Sequence, residues 1–321
     1  MGSPSDQEPN DTAEYIPFDE LIGRFYEAEP RTRVVAEFGA KSHPGKVRAA
    51  NEDSYVVVRR RRERDVLLSS IPVELLPQAE QAAYSLAVAD GLGGQAFGEL
   101  ASFLALRTGW ELGEGEVKWA VKINEREATE LKEKAAVLFR KIDRTIHDAV
   151  AERPRLAGMG TTLTICYVTG PELFVMHAGD SRAYLHRGGT LRRLTRDHTQ
   201  AQILIDAGLA APGSPEERKR RHVLTNCLGG PELNVEVDVE HHRLEDGDRL
   251  LLCTDGLTDQ AEDREIAELL EHHPAPDDAC RALVDLALER GGKDNVTAVV
   301  GRFSFPGPEP DPLTEAITPA T

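Results

Sequence analysis

The order of elements in this sequence predicts an α+β fold, with antiparallel sheets covered by helices. Short runs rich in β-branched and apolar residues, each bounded by Gly, Asp or Pro, mark strands. Stretches with apolar residues at three- and four-residue steps mark helices. The two kinds of segment come in groups and do not alternate strictly, which argues against a doubly wound parallel sheet.

In chain order, strands are expected at residues 54–58, 84–89, 161–168, 173–178, 234–240, 249–253 and 296–300. Helices are expected at residues 99–107, 131–150, 197–208 and 277–289. The second is the most strongly marked, because Leu131, Ala135, Leu138, Phe139, Ile142, Ile146, Ala149 and Val150 recur at helical spacing. Residues 59–64, Arg-Arg-Arg-Arg-Glu-Arg, form a strongly basic run. It lacks interleaved aromatics, so a solvated hairpin edge guarded by charge fits it better than a nucleic-acid contact.

The ends differ in composition from the middle. Residues 1–31 carry eight acidic side chains against Arg24 and Arg31, with Pro4, Pro9, Pro17 and Pro30. Such a segment buries too little apolar surface to offset its ordering entropy, and a disordered acidic leader is expected. Residues 306–321 hold Pro306, Pro308, Pro310, Pro312 and Pro319 and are expected to be a Pro-rich tail. Residues 32–305 contain no comparable linker and are expected to form one domain.

The formal net charge of −17 disfavours nucleic acid and anionic membranes as partners, since both call for basic faces. No stretch reaches the ~18 uninterrupted apolar residues of a membrane span. Cys166, Cys227, Cys253 and Cys280 show no paired spacing, which fits a reduced, cytoplasmic protein without structural zinc.

The chemistry lies where apolar strands end. Residues 85–89 run into Asp90-Gly91, and residues 250–254 run into Asp255-Gly256. Asp-Gly is also a common hairpin turn, and Asp246-Gly247, flanked by Glu245, Asp248 and Arg249, looks like one. Asp90 and Asp255 instead follow buried-looking runs, where a charge is rare unless it is paired or bound to metal. Asn51-Glu52-Asp53, Gly179-Asp180-Ser181 and Asp294-Asn295 add further acidic junctions at strand ends. An oxygen-rich set without convergent His or Cys selects hard cations such as Mg²⁺ or Mn²⁺.

The ordered series Arg48-x-x-Asn51-Glu52-Asp53, Asp90-Gly91-x-Gly93-Gly94, Gly160-Thr161-Thr162, Ala178-Gly179-Asp180-Ser181-Arg182, Leu194-Thr195-x-Asp197-His198, Asp255-Gly256-Leu257-Thr258-Asp259 and Asp294-Asn295-x-Thr297 resembles the metal-dependent protein phosphatases of the 2C type, in their bacterial branch. The resemblance covers residues 34–303. It implies a four-layer α-β-β-α sandwich, two antiparallel sheets flanked by helix pairs, with residues 32–305 as the catalytic domain. It also implies hydrolysis of phosphoserine and phosphothreonine in proteins with two Mg²⁺ or Mn²⁺ ions per site. Asp90 and the Gly91 carbonyl would hold the first ion, with Asp90 bridging to a second held by Asp255 and Asp294. Glu52, Asp53 and Asn295 would orient those ligands and their waters, and Asp180 with Asp255 or Asp259 would take a third ion. Arg48 would clamp the substrate phosphate, as a planar guanidinium meets two oxygens at once. The expected partners are phosphorylated Ser/Thr proteins of a signalling pathway and the kinase that it opposes, and the expected state is a monomer.

The chain departs from the family pattern at Leu92, where animal members place a His proposed as general acid, and at Gln95, where many bacterial members place a His. His43 and His198 are candidates for the proton donor, against the commoner structural use of a lone His near a loop. Residues 200–222 correspond to the mobile flap beside the site. Two rivals are weaker. A catalytically idle phosphoprotein-binding relative would usually lack one of Asp90, Asp255 and Asp294, and all are present. A haloacid dehalogenase type would need an Asp-x-Asp pair after an early strand, and none stands there.

Overall fold

Residues 34–62, 65–70, 81–93, 97–116, 125–231 and 233–306 are described by a computed structural model. The expected leader, Gln95 and the tail beyond Pro306 lie outside the described residues. In chain order the elements are β1 (Val35–His43), β2 (Ser54–Arg62), β3 (Gln81–Ala89), β4 (Gly91–Leu92), α1 (Phe97–Glu116), α2 (Glu125–Glu152), a single 3₁₀ turn (Pro154–Leu156), β5 (Gly160–Thr161), β6 (Leu163–Thr169), β7 (Glu172–Ala178), β8 (Arg182–Arg187), β9 (Thr190–Arg193), α3 (Gln200–Asp206), α4 (Pro215–Arg218), β10 (Asp238–Arg243), β11 (Arg249–Cys253), α5 (Asp255–Thr258), α6 (Asp263–His272), α7 (Pro276–Glu289) and β12 (Val296–Ser304).

The strands form two five-stranded sheets, in the orders β1-β12-β11-β8-β9 and β10-β7-β6-β3-β2, with β4 and β5 as a small separate pair. All their pairings are antiparallel. One core lies between the sheets, where Leu86, Val88, Val168 and Val175 meet Leu185, Leu250, Leu252 and Phe303. The opposite faces are covered by helices. Leu251, Cys253 and Val300 pack under Ile266, Leu270, Leu283 and Val284 of α6 and α7. Ala89, Leu163 and Ala178 pack under Ala101, Ala105, Phe139, Ile142 and Ile146 of α1 and α2. Four layers follow, and so does the look of the strand sequences: a strand buried on both faces shows no polar alternation, as in Leu250-Leu251-Leu252-Cys253.

The fold class agrees with the sequence reading, while several boundaries do not. The run at 161–168 is split, because Thr161 leaves the main sheet to pair with Gly91 before β6 begins at Leu163. The strand expected at 234–240 starts only at Asp238 and runs to Arg243 opposite β7. The helix expected at 197–208 is shorter, because the Thr199 hydroxyl caps it by accepting from the Gln202 N–H. Strands β1, β8 and β9 and helix α6 were not anticipated. The basic run ends β2, the edge strand of its sheet, with Arg59, Arg60, Arg61 and Arg62 paired to Tyr84, Ala83, Ala82 and Gln81.

Candidate active site at the strand ends

Antiparallel pairing places the start of one strand beside the end of its neighbour. Ser54 of β2 stands opposite Ala89 of β3, so Asp53 and Asp90 emerge together. Cys253 of β11 stands opposite Ala298 of β12, which brings Asp255 to the side of Asp294 and Asn295. The same Cys253 pairs with Arg182 of β8, and this carries the turn Gly179-Asp180-Ser181 to the same mouth. Five acidic junctions from distant parts of the chain thus share one end of the sandwich.

The Asp90-Gly91 corner is held by backbone and hydroxyl bonds. The Asp90 N–H donates to Thr162 Oγ1 (3.0 Å), while its carbonyl accepts from the Thr162 N–H (2.9 Å) and from Thr161 Oγ1 (2.9 Å). Gly91 is required by close approach, since a Cβ there would stand 2.1 Å from the Gly98 carbonyl oxygen. By contrast, Gly247 of the control dipeptide has φ +83° with open space around it, the mark of a plain turn.

Asp53 is the most firmly supported carboxylate. Its Oδ2 accepts from Thr297 Oγ1 (2.7 Å) and Thr254 Oγ1 (2.9 Å), whereas its buried Oδ1 has no hydrogen-bond partner among the described residues. Asn295 ties three segments together. Its Nδ2 donates to the carbonyls of Pro44 (2.9 Å) and Ala50 (2.8 Å), and its Oδ1 accepts from the Glu52 N–H (2.8 Å). Asp294 Oδ2 accepts from Arg48 at 2.7 Å, which holds the half-exposed guanidinium over the rim of the site.

Electrostatics show how closely these groups converge. Burial, and then the charges of Asp53, Asp255, Asp180 and Asp294, push the Asp90 carboxyl well above the usual range. Asp53 is pushed up to about 7, mainly by burial, against the stabilising Thr297 and Thr254 hydroxyls. Burial also raises Glu52, with Arg48 opposing it. Asp180 is raised well above its ordinary value by burial and then by Asp255. So many carboxylates facing one another need countercharge, and Oδ1 of Asp53 needs a partner. Both features fit a hard divalent cation.

The sequence-predicted residues are not all drawn equally close. The one group of His, Cys, Asp and Glu ligand atoms lying within 4.8 Å of one another among the described residues is His222, Asp255 and Asp259. Asp90, Asp255 and Asp294 keep a wider spacing, and Asp294 is paired with Arg48. His222 was missed by the sequence reading, because a residue 33 positions upstream of Asp255 carries no local signal. Both necks of the flap are stitched together, with the Gln200 N–H donating to the Val223 carbonyl (2.9 Å) and Thr199 bridging to Leu224. His222 stands immediately inside that stitch.

The two histidines considered as proton donors have other partners. His198 Nδ1 accepts from the Gly179 N–H (3.1 Å) and from Asn226 Nδ2 (2.8 Å), so the neutral ring carries its proton on Nε2, 3.0 Å from Asp238. It fastens the Asp180 turn to the base of the flap. His43 Nδ1 accepts from the Gly45 N–H (2.9 Å). Leu92 pairs with Gly160 in the small sheet.

A four-layer sandwich with a mouth of buried carboxylates defines a class of protein built to hold hard cations at the ends of its strands. The comparisons narrow this class. A family model described as protein phosphatase 2C matches residues 75–291. The serine/threonine protein phosphatase PstP of Mycobacterium tuberculosis is 35% identical over 270 residues, 84% of this chain and 45% of PstP. The protein phosphatase PhpP of Streptococcus pneumoniae is 32% identical over 213 residues, 66% of this chain and 83% of PhpP. Among solved structures, the catalytic domain of PstP in complex with two manganese ions superposes with TM-score 0.66 at 35% identity, covering 85% of this chain and 100% of that one. The chain belongs to the protein phosphatase 2C family. It spans less than half the length of PstP.

Proposed function

We propose that the chain is a protein serine/threonine phosphatase that hydrolyses phosphoserine and phosphothreonine with Mg²⁺ or Mn²⁺. The observation that carries this reading is the convergence of Asp53, Asp90, Asp180, Asp255 and Asp294 at one end of the sandwich, set by the pairing of β2 with β3 and of β11 with β8 and β12. A family domain with that arrangement has its acidic machinery complete. The manganese found with the PstP catalytic domain supports the choice of cation.

When bound, a pair of such ions acidifies water and neutralises charge on a phosphoryl group. In this reading Asp90, the Gly91 carbonyl, Asp255 and Asp294 would hold the ions. Asp53 is fixed through its Oδ2 by Thr254 and Thr297, which leaves its buried Oδ1 without a hydrogen-bond partner among the described residues, and Asn295 holds the Glu52 backbone beside it. Arg48 binds phosphoryl oxygens, and its pairing with Asp294 keeps it in place before substrate arrives. Neither His198 nor His43 is assigned the proton transfer. Phosphorylated Ser/Thr is made by a kinase, so the substrate is the product of a protein Ser/Thr kinase, and the chain acts on it as a cytoplasmic monomer.

The test is hydrolysis of phosphoserine, phosphothreonine and phosphotyrosine peptides with and without Mn²⁺. Mn²⁺-dependent release from the first two is expected. Equal rates with and without metal, or no release at all, would sink the reading.

A further inference from the structure

Helix α1 carries Ala105 and Gly109 one turn apart, and α2 brings Ala135 to the same side of the sheet. Glycine inside a helix is unfavourable unless a neighbour requires it. Nothing crowds Gly109, since a Cβ there would meet only Ile142 Cδ1, at an ordinary 3.6 Å. The missing side chain leaves space instead. Across the gap, Val56, Ala87, Ile165 and Met176 stand in one row over β2, β3, β6 and β7. The helices and this row leave between them a cavity of about 110 Å³.

The charge of the lining is one-sided. In a chain of net charge −17 it holds no acidic side chain among the described residues, and its charged groups are Arg60 and Lys134, both half-buried. Tyr167 lies at the Arg60 end: burial pushes its phenol up to about 12, and the guanidinium works against that shift. Trp110 lines the same space and is half exposed, so the cavity reaches solvent beside its ring. An apolar interior with a cationic rim suits an amphiphile with an anionic end. The volume limits its size, because an engineered apolar cavity of about 150 Å³ takes benzene.

We propose that this cavity binds a small monocarboxylic acid with an apolar body of about six to ten carbons, the body lying between α1, α2 and the sheet and the carboxylate meeting Arg60 and Lys134. The site is separate from the strand-end aspartates. Arg60 stands seven residues along β2 from Asp53, roughly 23 Å at ~3.3 Å per residue. Binding there needs no metal ion, so the inference stands or falls independently of the phosphatase reading.

The full-length protein, chelated and then loaded with Mn²⁺, is titrated by calorimetry with sodium octanoate, octylammonium chloride and 1-octanol. Octanoate should bind at one site per chain, equally well with and without Mn²⁺, and at least about tenfold more tightly than octylammonium. Ala135→Phe fills the space and should weaken octanoate at least about tenfold, with circular dichroism checking the fold. Octanoate should also raise the melting temperature of the wild type and not that of this variant. Lys134→Gln keeps the cavity, so it should weaken octanoate severalfold and leave 1-octanol unchanged. Should Ala135→Phe fail to fold, this second variant decides alone. Absence of saturable octanoate binding, octylammonium binding as tight as octanoate, or affinity untouched by the variants would overturn the inference. Octanoate uptake seen only with Mn²⁺ would place its carboxylate on the metal site, overturning the inference and leaving the phosphatase reading intact.

Discussion

Two regions bring carboxylates to the same mouth and hold them in opposite ways. On the strand-end side, Asp53 is buried against two threonine hydroxyls, and Asn295 makes three hydrogen bonds to backbone groups. On the flap side, Asp259 meets Arg221 at 3.3 Å and His222 at 3.5 Å, with the partners more than a third exposed. The first set is fixed by strands that also form the core. The second depends on side chains of a surface segment whose Arg221 and His222 take no part in the buried cores. Preorganisation is thus concentrated where the carboxylates are most deeply buried, and the more exposed contacts lie where the flap meets them.

The largest expected effect tests the rigid side. Asp90→Asn should lower Mn²⁺-dependent hydrolysis of a phosphothreonine peptide by about a thousandfold or more, because a metal contributes several kcal/mol to the transition state. Its circular dichroism spectrum should match that of the wild type. Asp259→Asn, on the flap side, should cost only about tenfold at saturating Mn²⁺. Equal losses in the two variants would erase the contrast.

Arg48, paired with Asp294 on the strand-end side, stands between the two regions in expected effect. Arg48→Ala removes a charge-assisted bond to phosphate of about 1.5–3 kcal/mol, so KM should rise roughly ten- to a hundredfold. An unchanged KM in steady-state kinetics would remove its role as the clamp. Arg221→Ala should move KM by less than about threefold, since a partly exposed ion pair is worth little.

The same contrast appears in folding stability. Thr297→Val deletes a donor to Asp53 and the contact with Ser42 Oγ (2.7 Å), and should cost about 1.5–3 kcal/mol in urea unfolding. A cost near zero would mean that the strand-end network is not what positions Asp53.

How much of this was legible in the sequence depended on burial. Strands β11 and β12 stood out because both of their faces are covered, so they read as unbroken apolar runs. Strand β1 did not, since it is a half-exposed edge strand with Lys41, Ser42 and a central Gly39. Strand β8 was hidden by arginines at both ends and by His186, although its middle is buried. Helix α6 did carry a signal: Glu262 and Glu265 form a capping box, and that spacing could have marked its start. The strand-end aspartates were visible because each interrupts an apolar run. His222 was not, because only tertiary folding brings the flap back over Asp255.

The smallest expected effect lies in the pH dependence of stability, and it separates the two regions by sign. Asp53 titrates at about 7 when folded, against an unfolded value near 3.8. Between those values the folded protein binds more protons than the unfolded chain, so metal-stripped protein should lose stability as pH rises from about 4 through 7. Asp90 and Asp180, also raised, act in the same direction. At the base of the flap, the His198 hydrogen bond lowers Asp238. That pair contributes stability above the unfolded pKa of Asp238 and loses it as pH falls. Denaturation of the chelated protein at several pH values should give a falling slope above pH 4 that Asp53→Asn flattens and that Mn²⁺ also reduces, since a cation favours the ionised carboxylates. Asp238→Asn should leave that slope in place. If Asp53→Asn left it unchanged, the strain of packed like charges would have to reside elsewhere than in the strand-end network.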